Sequence, residues 1–213
     1  MIGKEKKEYE FHQEDLENVM KKYDRESNVR VFKGKMGVAV KIIMICFSLF
    51  CIWLTLFATF LEEIRLTSFM GMIVFFGFLN YPARKNKNKV NYMPWYDILG
   101  MLAGSGAFFY YTFYAEKIIQ QGTRFETFQI VIAVVGIIAL LEVTRRSVGV
   151  PILLVALFFI GYAIVYGLTN PSIPGRLSYL VRNLFYSKTG IISTPVNVCS
   201  KYIVVFIIFG AFI

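Results

Sequence analysis

The chain has 213 residues, of which 56% are hydrophobic and 17% aromatic, and it carries a formal net charge of +9. Its mean hydropathy of +0.56 argues against an ordinary globular domain and predicts that lipid surrounds most of the chain. The basic residues flank apolar runs and no nucleic-acid-binding motif accompanies them, so no nucleic acid is expected as a partner.

Residues 1–41 form a polar leader that is rich in lysine and arginine. Within it Leu16, Val19, Met20 and Tyr23 recur at helical spacing, which predicts a short amphipathic helix. Basic residues beside a membrane span remain on its cytoplasmic side. The N-terminus is therefore expected to be cytoplasmic.

Six apolar runs follow the leader, and six membrane helices are predicted from them. They occupy residues 42–61, 66–81, 98–115, 127–141, 148–168 and 198–213. About 20 residues of helix rise about 30 Å, which matches the hydrocarbon core of a bilayer. The basic segment 84–89 is expected on the cytoplasmic side, like the leader, and the segment 116–126 on the outside. The fold class predicted is all-α, a polytopic transmembrane helix bundle.

Turn residues at 170–175 precede a helix of a different kind. Its apolar positions recur at i, i+3, i+4, i+7 and i+8, and they are Leu177, Leu180, Val181, Leu184 and Phe185. This spacing predicts an amphipathic helix along the outer membrane interface, with Arg182, Asn183 and Tyr186 on its polar side.

The last predicted helix begins with a capping signal. Ser193 or Thr194 is expected to cap it, with Pro195 at its first position. No polar or basic flank follows Ile213. Because membrane spans usually close with interfacial or charged residues, the chain is expected to be a truncated piece of a longer polypeptide.

Glu142, Arg145 and Arg146 are the strongest charged feature beside a predicted span. Their i+3 and i+4 spacings place either arginine on the helix face of the carboxylate. An ion pair that anchors the fourth span at the cytoplasmic interface is the favoured interpretation, and an ion relay or a contact to a partner helix is the alternative. Gly100 and Gly104 form a GxxxG pair, which predicts close packing of the third span within the chain, between domains or between protomers.

Nine charged residues are expected on the outside of the membrane. They are Glu62, Glu63, Arg65, Glu116, Lys117, Arg124, Arg176, Arg182 and Lys188. Some of them could form a docking surface for a soluble partner, and the alternative is that they are solvated loop residues.

Motifs for catalysis or metal binding are missing from the sequence. It contains no nucleophile elbow, phosphate-binding loop, paired metal-binding histidines or dinucleotide fingerprint. His12 is the single histidine, and Cys46, Cys51 and Cys199 form no CxxC pair. No catalytic residue, metal site or cofactor is therefore predicted, and the chain is not expected to be an enzyme.

Five short segments in a fixed order carry a further signal. They are residues 81–84 (YPAR), 94–97 (PWYD), 141–149 (LEVTRRSVG), 184–191 (LFYSKTGI) and 209–212 (FGAF). Together they resemble the fused permeases of tripartite ATP-independent periplasmic (TRAP) transporters, which join a four-span Q-like region to a twelve-span M-like region. The third and fourth segments are the specific ones. The family pattern before the proline reads GIFG, whereas this chain has GIIST.

This resemblance implies a permease of the bacterial cytoplasmic membrane for secondary active uptake. An external solute-binding protein would deliver an organic anion or similar solute, and an ion gradient, with sodium as the coupling ion, would drive its import. In that family the substrate and sodium sites lie in broken helices of the M-like region. These sites are expected after Ile213, so the resemblance assigns no substrate- or ion-binding residue to this chain.

The resemblance divides the chain into four parts. Residues 1–41 are the leader, 42–147 the Q-like four-helix scaffold, 148–168 a connecting transmembrane helix, and 169–213 an interfacial helix with the start of the M-like transport domain. The expected partners are the lipid bilayer, the solute-binding protein and the remainder of the M-like domain. The alternative is a small multi-pass membrane scaffold or assembly protein without transport activity.

Overall fold

A computed structural model describes residues 29–30, 32–57, 61–83, 91–122, 125–169 and 176–213. Every regular element in these ranges is a helix, which confirms the all-α prediction for them. The first six are α1 Gly34–Leu56, α2 Glu62–Asn80, α3 Trp95–Gln121, α4 Thr127–Ser147, α5 Val150–Thr169 and α6 Arg176–Phe185. The last helical stretch consists of α7 Thr194–Val198, a π-helical turn Cys199–Ile203 and α8 Val204–Phe212.

Three helical stretches in the described residues are long and apolar enough to cross a membrane. They are Gly34–Leu56, Thr127–Ser147 and Thr194–Ala211, and Val150–Tyr166 is a shorter apolar helix. These helices indicate a membrane protein. Helices also occupy the positions of the other predicted spans. Of the six predicted membrane helices, however, only three in the described residues are long and apolar enough to cross a membrane.

The helix α2 is less apolar than a lipid-exposed span because most of it faces other helices. Thirteen of its residues are buried, including polar ones. The Thr67 hydroxyl donates to the Glu63 carbonyl at 2.7 Å, and the Ser68 hydroxyl donates to the Ile64 carbonyl at 2.8 Å. Polar groups satisfied in this way can be buried at low cost. A hydropathy criterion that measures transfer into lipid therefore does not test whether a helix of this kind crosses a membrane.

The core of the molecule lies between α2, α3 and α4. Val74, Phe108 and Ala133, one from each helix, are fully buried there. Phe185, the last residue of α6, is also fully buried and its ring centre lies 5.0 Å from that of Phe108. Gly136 of α4 makes room for it, because a Cβ at Gly136 would lie 2.4 Å from a carbon of the Phe185 ring. Helix α6 is therefore attached to the bundle by an inserted ring.

The helices alternate in direction, so the bundle has two ends. The Asp97 end holds the start of α3 and the end of α4, and the Arg30 N–H donates to the Asn80 carbonyl there, at the end of α2. At the opposite end, which we call the Glu63 end, Gln129 at the start of α4 contacts Gln121 at the end of α3. The segments before α1, before α3 and after α4 thus share one end, in the grouping predicted from the basic residues. Which end faces the cytoplasm stays a prediction.

Several predicted boundaries were wrong. The first helix begins at Gly34 rather than at residue 42, since exposed lysines within it can extend their charged groups to the interface. It ends at Leu56 rather than at residue 61. Glu62 and Glu63, which lie between the predicted spans 42–61 and 66–81, form the first turn of α2, where acidic residues complement the helix dipole.

The third helix continues to Gln121 through a segment predicted as a loop from residue 116. Ser193 occupies the cap position before α7, but its side chain makes no capping hydrogen bond, and Pro195 lies in the first turn. The predicted leader helix, His12 and the predicted turn at 170–175 lie outside the described residues.

The first and last helices pack together at the side of the core. Cys51, Leu54 and Phe69 form a second apolar cluster, against which Cys199 packs. The Thr55 hydroxyl donates to the Ser200 carbonyl at 3.1 Å, next to the π-helical turn. Thr55 therefore links α1 to the π-helical turn.

Candidate functional site

Five charged side chains meet at the Asp97 end, and we call them the buried charge cluster. They are Arg30, Asp97, Glu142, Arg145 and Arg146. Asp97 lies in the first turn of α3 and its side chain is 0% exposed. An isolated carboxylate at such a position would be strongly destabilised, so it requires cationic partners.

Two arginines from distant parts of the sequence share this carboxylate. Arg30 donates from Nη2 to Oδ2 of Asp97, and Arg146 donates from Nη1 to Oδ1 at 2.8 Å. The arginine side chains are only 3% and 4% exposed. Each carboxylate oxygen therefore faces one guanidinium group, and Asp97 joins the segment before α1 to α3 and α4.

The end of α4 positions the second arginine by several contacts. Arg146 Nε donates to Glu142 Oε1 at 2.8 Å, and its Nη1 lies 3.3 Å from the Tyr81 carbonyl oxygen. Its guanidinium carbon lies 4.7 Å from the centre of the Phe78 ring. Arg145 forms a two-pronged pair with Glu142 at 2.8 and 2.7 Å. This planar network fixes the orientation of the Arg146 guanidinium.

The segment before α1 is held at two points beside the cluster. The Arg30 N–H donates to the Asn80 carbonyl at 2.8 Å. Lys33 N–H donates to Asn91 Oδ1 at 2.8 Å, and Asn91 Nδ2 donates back to the Lys33 carbonyl at 3.0 Å. Asn91 has φ 60°, a left-handed conformation that asparagine tolerates well. These contacts hold the segment before α1 so that Arg30 lies beside the start of α3.

The chemistry open to the cluster follows from its residue types. Arginine stays protonated in proteins, so three of the five groups cannot exchange protons. Buried ion pairs add little net stability compared with apolar packing, but an arrangement that breaks them leaves an uncompensated charge. The cluster is therefore suited to specifying how three segments meet.

The sequence pattern located only the local part of this cluster. The structure brings Glu142 together with Arg145 and Arg146 at the i+3 and i+4 spacings, and it adds the contact of Arg146 to another helix through Asp97. A relay function is not tested by these contacts.

Sequence analysis missed Arg30 and Asp97. They are separated by 67 residues from each other, and Asp97 is separated by 49 residues from Arg146. Asp97 entered the sequence analysis only as part of the segment 94–97 (PWYD). An acidic residue in the first turn of an apolar span was the available signal, because such a residue needs a partner.

The two glycines of the GxxxG pair lie within the bundle. A Cβ at Gly100 would lie 2.8 Å from the Phe78 ring, and one at Gly104 would lie 2.5 Å from the Ala139 Cβ and 3.0 Å from Val74. The small face of α3 therefore contacts α2 and α4 of the same chain, which is the first of the three locations left open by the sequence.

A second polar cluster lies at the Glu63 end. Lys188 Nζ lies 2.9 Å from Glu63 Oε1, and this hydrogen bond raises the pKa of Lys188 above its usual value. Arg65 donates to Asn197 Oδ1 at 2.8 Å, and Asn197 donates in turn to Glu62. These charged residues, predicted on the outside, are engaged with α7 and with the segment before it. A docking role for the others stays a prediction.

Metal ligands do not converge in the part of the chain that the structure describes. No group of three or more histidine, cysteine, aspartate or glutamate residues there is placed to hold a metal ion. The three cysteines are free.

Comparison of the chain with protein-family models, curated proteins and solved structures finds no match.

Proposed function

We propose that this chain is the scaffold portion of a TRAP-type permease, a secondary active transporter for an organic anion or similar solute. An external binding protein delivers the solute, and an ion gradient drives its import. The observation that carries the proposal is where the two most specific segments lie. Residues 141–149 supply three members of the buried charge cluster, and residues 184–191 supply an aromatic pair buried against α3 and α4.

A scaffold has to resist movement of its own helices while another domain moves against it. Contacts at both ends of the bundle support this role. Asp97 joins three segments at one end, and at the other the Tyr186 hydroxyl donates to the Gln129 carbonyl at 2.9 Å. The Tyr111 hydroxyl donates to the Tyr186 carbonyl at 3.0 Å. The segments that carry the resemblance thus hold the same helices from opposite ends.

The last helical stretch supplies the connection to a moving domain in this proposal. Its beginning is tied to α2 through Asn197 and to α1 through Thr55. Beyond the π-helical turn, its large apolar side chains are exposed, with Phe206 at 71% and Ile207 at 67%. Lipid or further helices of the M-like domain would cover them. The substrate and ion sites lie after Ile213 in this proposal.

Reconstitution of the full-length permease with its binding protein in liposomes tests the proposal. Uptake of labelled organic anions is measured with and without a sodium gradient, and with the binding protein omitted. We expect uptake to require both components and the gradient. Uptake that does not need the gradient would contradict the proposal. So would the finding that none of the organic anions in a panel is transported.

The alternative of a scaffold or assembly protein without transport activity makes a different prediction. The intact short chain would then be recovered from its native membrane in a complex with other membrane proteins, and deletion of its gene would leave organic-anion uptake unchanged. Recovery of a longer polypeptide that begins with this sequence would support the transporter.

A further inference from the structure

The amphipathic helix α6 lies beside two cavities of opposite character. The first, which we call the apolar groove, has a volume of about 520 Å³ and runs between α4, α5 and α6. Its lining includes Val134, Ile138, Phe159, Ala163, Leu180 and Leu184. An open apolar groove between helices of a membrane protein accommodates a hydrocarbon chain.

The second cavity, which we call the polar cavity, has a volume of about 260 Å³ and lies at the Glu63 end. Its lining includes Glu63, Tyr111, Phe125, Arg182, Asn183 and Ser187. Arg182, Asn183 and Ser187 can donate hydrogen bonds into this space, which is large enough for a small polar group.

Arg182 supplies the charge of the polar cavity. Its guanidinium carbon lies 5.6 Å from the centre of the Phe125 ring and 5.1 Å from that of Tyr179. Within the described ranges it forms no ion pair, since the pairs found there involve other residues. The rings lie against the guanidinium, and no ion pair with a described carboxylate engages its N–H groups, which can therefore donate to an oxyanion.

The other charges at the polar cavity do not cancel that of Arg182. Glu63 also lines it, but its carboxylate lies 2.9 Å from Lys188 Nζ. The pair is neutral as a whole, and Arg182 leaves a net positive charge. An anionic group is therefore the complementary ligand.

The two cavities share one residue, Asn183, which lines both. Leu180, Val181 and Leu184 of α6 line the groove, Arg182 lines the cavity, and Asn183 lines both. A molecule with a hydrocarbon tail and an anionic head would contact both sides of this helix at once. A free anion would leave the groove empty, and an apolar helix would leave Arg182 without a partner.

We propose that α6 binds one anionic phospholipid. The acyl chain occupies the apolar groove, and the headgroup phosphate accepts hydrogen bonds from Arg182, with Asn183 and Ser187 as further donors. The inference requires the helices to be in a membrane but does not depend on the transport function proposed above.

Lipid binding to the purified full chain tests the proposal. The protein is delipidated in mild detergent and titrated with phosphatidylglycerol or with phosphatidylcholine of the same acyl chains, and bound lipid is counted by native mass spectrometry. We expect one phosphatidylglycerol to bind preferentially and to raise the unfolding temperature. Arg182→Gln should weaken the binding of phosphatidylglycerol roughly fivefold to tenfold, with little effect on the binding of phosphatidylcholine.

Two further variants separate the charge from the groove. Lys117→Gln removes the same charge from an exposed residue near the end of α3 and should leave binding unchanged. Ala163→Phe fills the apolar groove and should weaken both lipids. Helix content measured by circular dichroism shows that each variant is folded, and Arg182→Met, which also removes the charge, replaces Arg182→Gln if the latter is not.

Two outcomes would overturn the proposal. If glycerol phosphate without acyl chains competes as well as phosphatidylglycerol, the cavity binds a free anion. If Arg182→Gln and Lys117→Gln have equal effects, or if several lipids of either type bind alike, the protein has only a nonspecific lipid shell.

Discussion

Asp97 is the residue on which three segments of the chain depend. Its side chain is 0% exposed, and the two guanidinium groups beside it are only 3% and 4% exposed. Loss of one member of a buried ion pair leaves the others charged without compensation, and this costs far more than the pair contributes. The consequences of a substitution here should therefore exceed those at the rim of the same cluster.

Asp97→Asn should lower the free energy of unfolding by about 3–5 kcal/mol, because it leaves Arg30 and Arg146 without a countercharge. Glu142→Gln is the matched control, since it also converts a carboxylate to an amide but its side chain is 31% exposed. We expect a loss of about 1 kcal/mol from it. The two losses are measured by reversible unfolding in micelles that mix a mild detergent with a denaturing one. Equal losses would show that burial of Asp97 has no energetic consequence.

The extent to which this site could be predicted depends on sequence distance. Glu142 and the arginines after it lie one turn apart on a helix, so their pairing follows from helical geometry alone. The contact between Arg30 and Asp97 depends on how two helices and two loops fold back, which no local pattern encodes. The position of Asp97 in the first turn of an apolar helix was an unused signal that it needs a partner, but no local pattern could identify Arg30.

At the scale of the elements, α3 is packed through its small residues. Gly104 faces Ala139 of α4, whereas Gly106 of the same helix has no atom within 4 Å of the position of a Cβ. One methyl group added at these two positions therefore probes opposite faces of the same helix.

Gly104→Ala should destabilise the protein by about 1–3 kcal/mol, because the added methyl group forces α3 and α4 apart. Gly106→Ala should be neutral or stabilising by up to about 1 kcal/mol, since alanine favours the helix and meets nothing. Thermal unfolding in detergent compares them. A larger loss from Gly106→Ala would mean that this face is covered in the intact membrane assembly.

The contact between α1 and the last helical stretch predicts a cross-link. Cys51 and Cys199 belong to the same apolar cluster, whereas Cys46 on α1 is exposed. A short, membrane-permeable reagent that links two thiols should therefore join Cys51 to Cys199, slowly because Cys51 is buried, and leave Cys46 singly modified. Peptide mass spectrometry detects the products, and Cys51→Ser is the control. Linkage of Cys46 to Cys199 instead would place α1 in a different rotation.

Helix positions were predictable because apolar runs of this length have few alternatives, but helix ends were not. The polar residues between predicted spans were assigned to loops, although Glu62 and Glu63 form the first turn of α2 and the residues from 116 to Gln121 extend α3. The π-helical turn at Cys199–Ile203 carries no signal in its own sequence. It coincides with a tertiary contact from Thr55, which only the folded chain reveals.

For the molecule as a whole, the grouping of segments at two ends makes a prediction about sidedness. Tyr92 is exposed near the Asp97 end, and Lys117 and Lys188 are exposed at the Glu63 end. In a chain without its native cysteines, single cysteines at Lys117 and Lys188 should react alike with an impermeant reagent in intact cells. A cysteine at Tyr92 should react only after the membrane is opened.

The bundle predicts that Lys117 and Lys188 lie on one side of the membrane and Tyr92 on the other. The distribution of basic residues predicts which of the two sides is outside. Reaction of Tyr92→Cys from outside, with the two lysine positions protected, would reverse the predicted orientation and leave the fold intact. Labelling of all three positions from one side would contradict the alternation of the helices.

The bundle also explains why composition identified the membrane character of the chain more readily than the number of its spans. Helices α1 and α8 have large apolar side chains exposed, and the stretches Gly34–Leu56 and Thr194–Ala211 that contain them are apolar enough to cross a membrane. The helix α2 packs against protein on several sides and carries buried polar residues that lower its hydropathy. Hydropathy describes how favourably the side chains of a helix enter lipid. It is therefore least informative for helices at the centre of a bundle, which contact other helices instead.

The shared carboxylate has a consequence for the order in which the protein is made. During synthesis Arg30 emerges from the ribosome first, Asp97 next and Arg146 last. Each segment has to be inserted into the membrane as it emerges. Asp97 is therefore available to Arg30 during the interval before Arg146 exists. We expect the segment immediately before α1 to contact α3 first, and α4 then to complete the buried junction through Arg146.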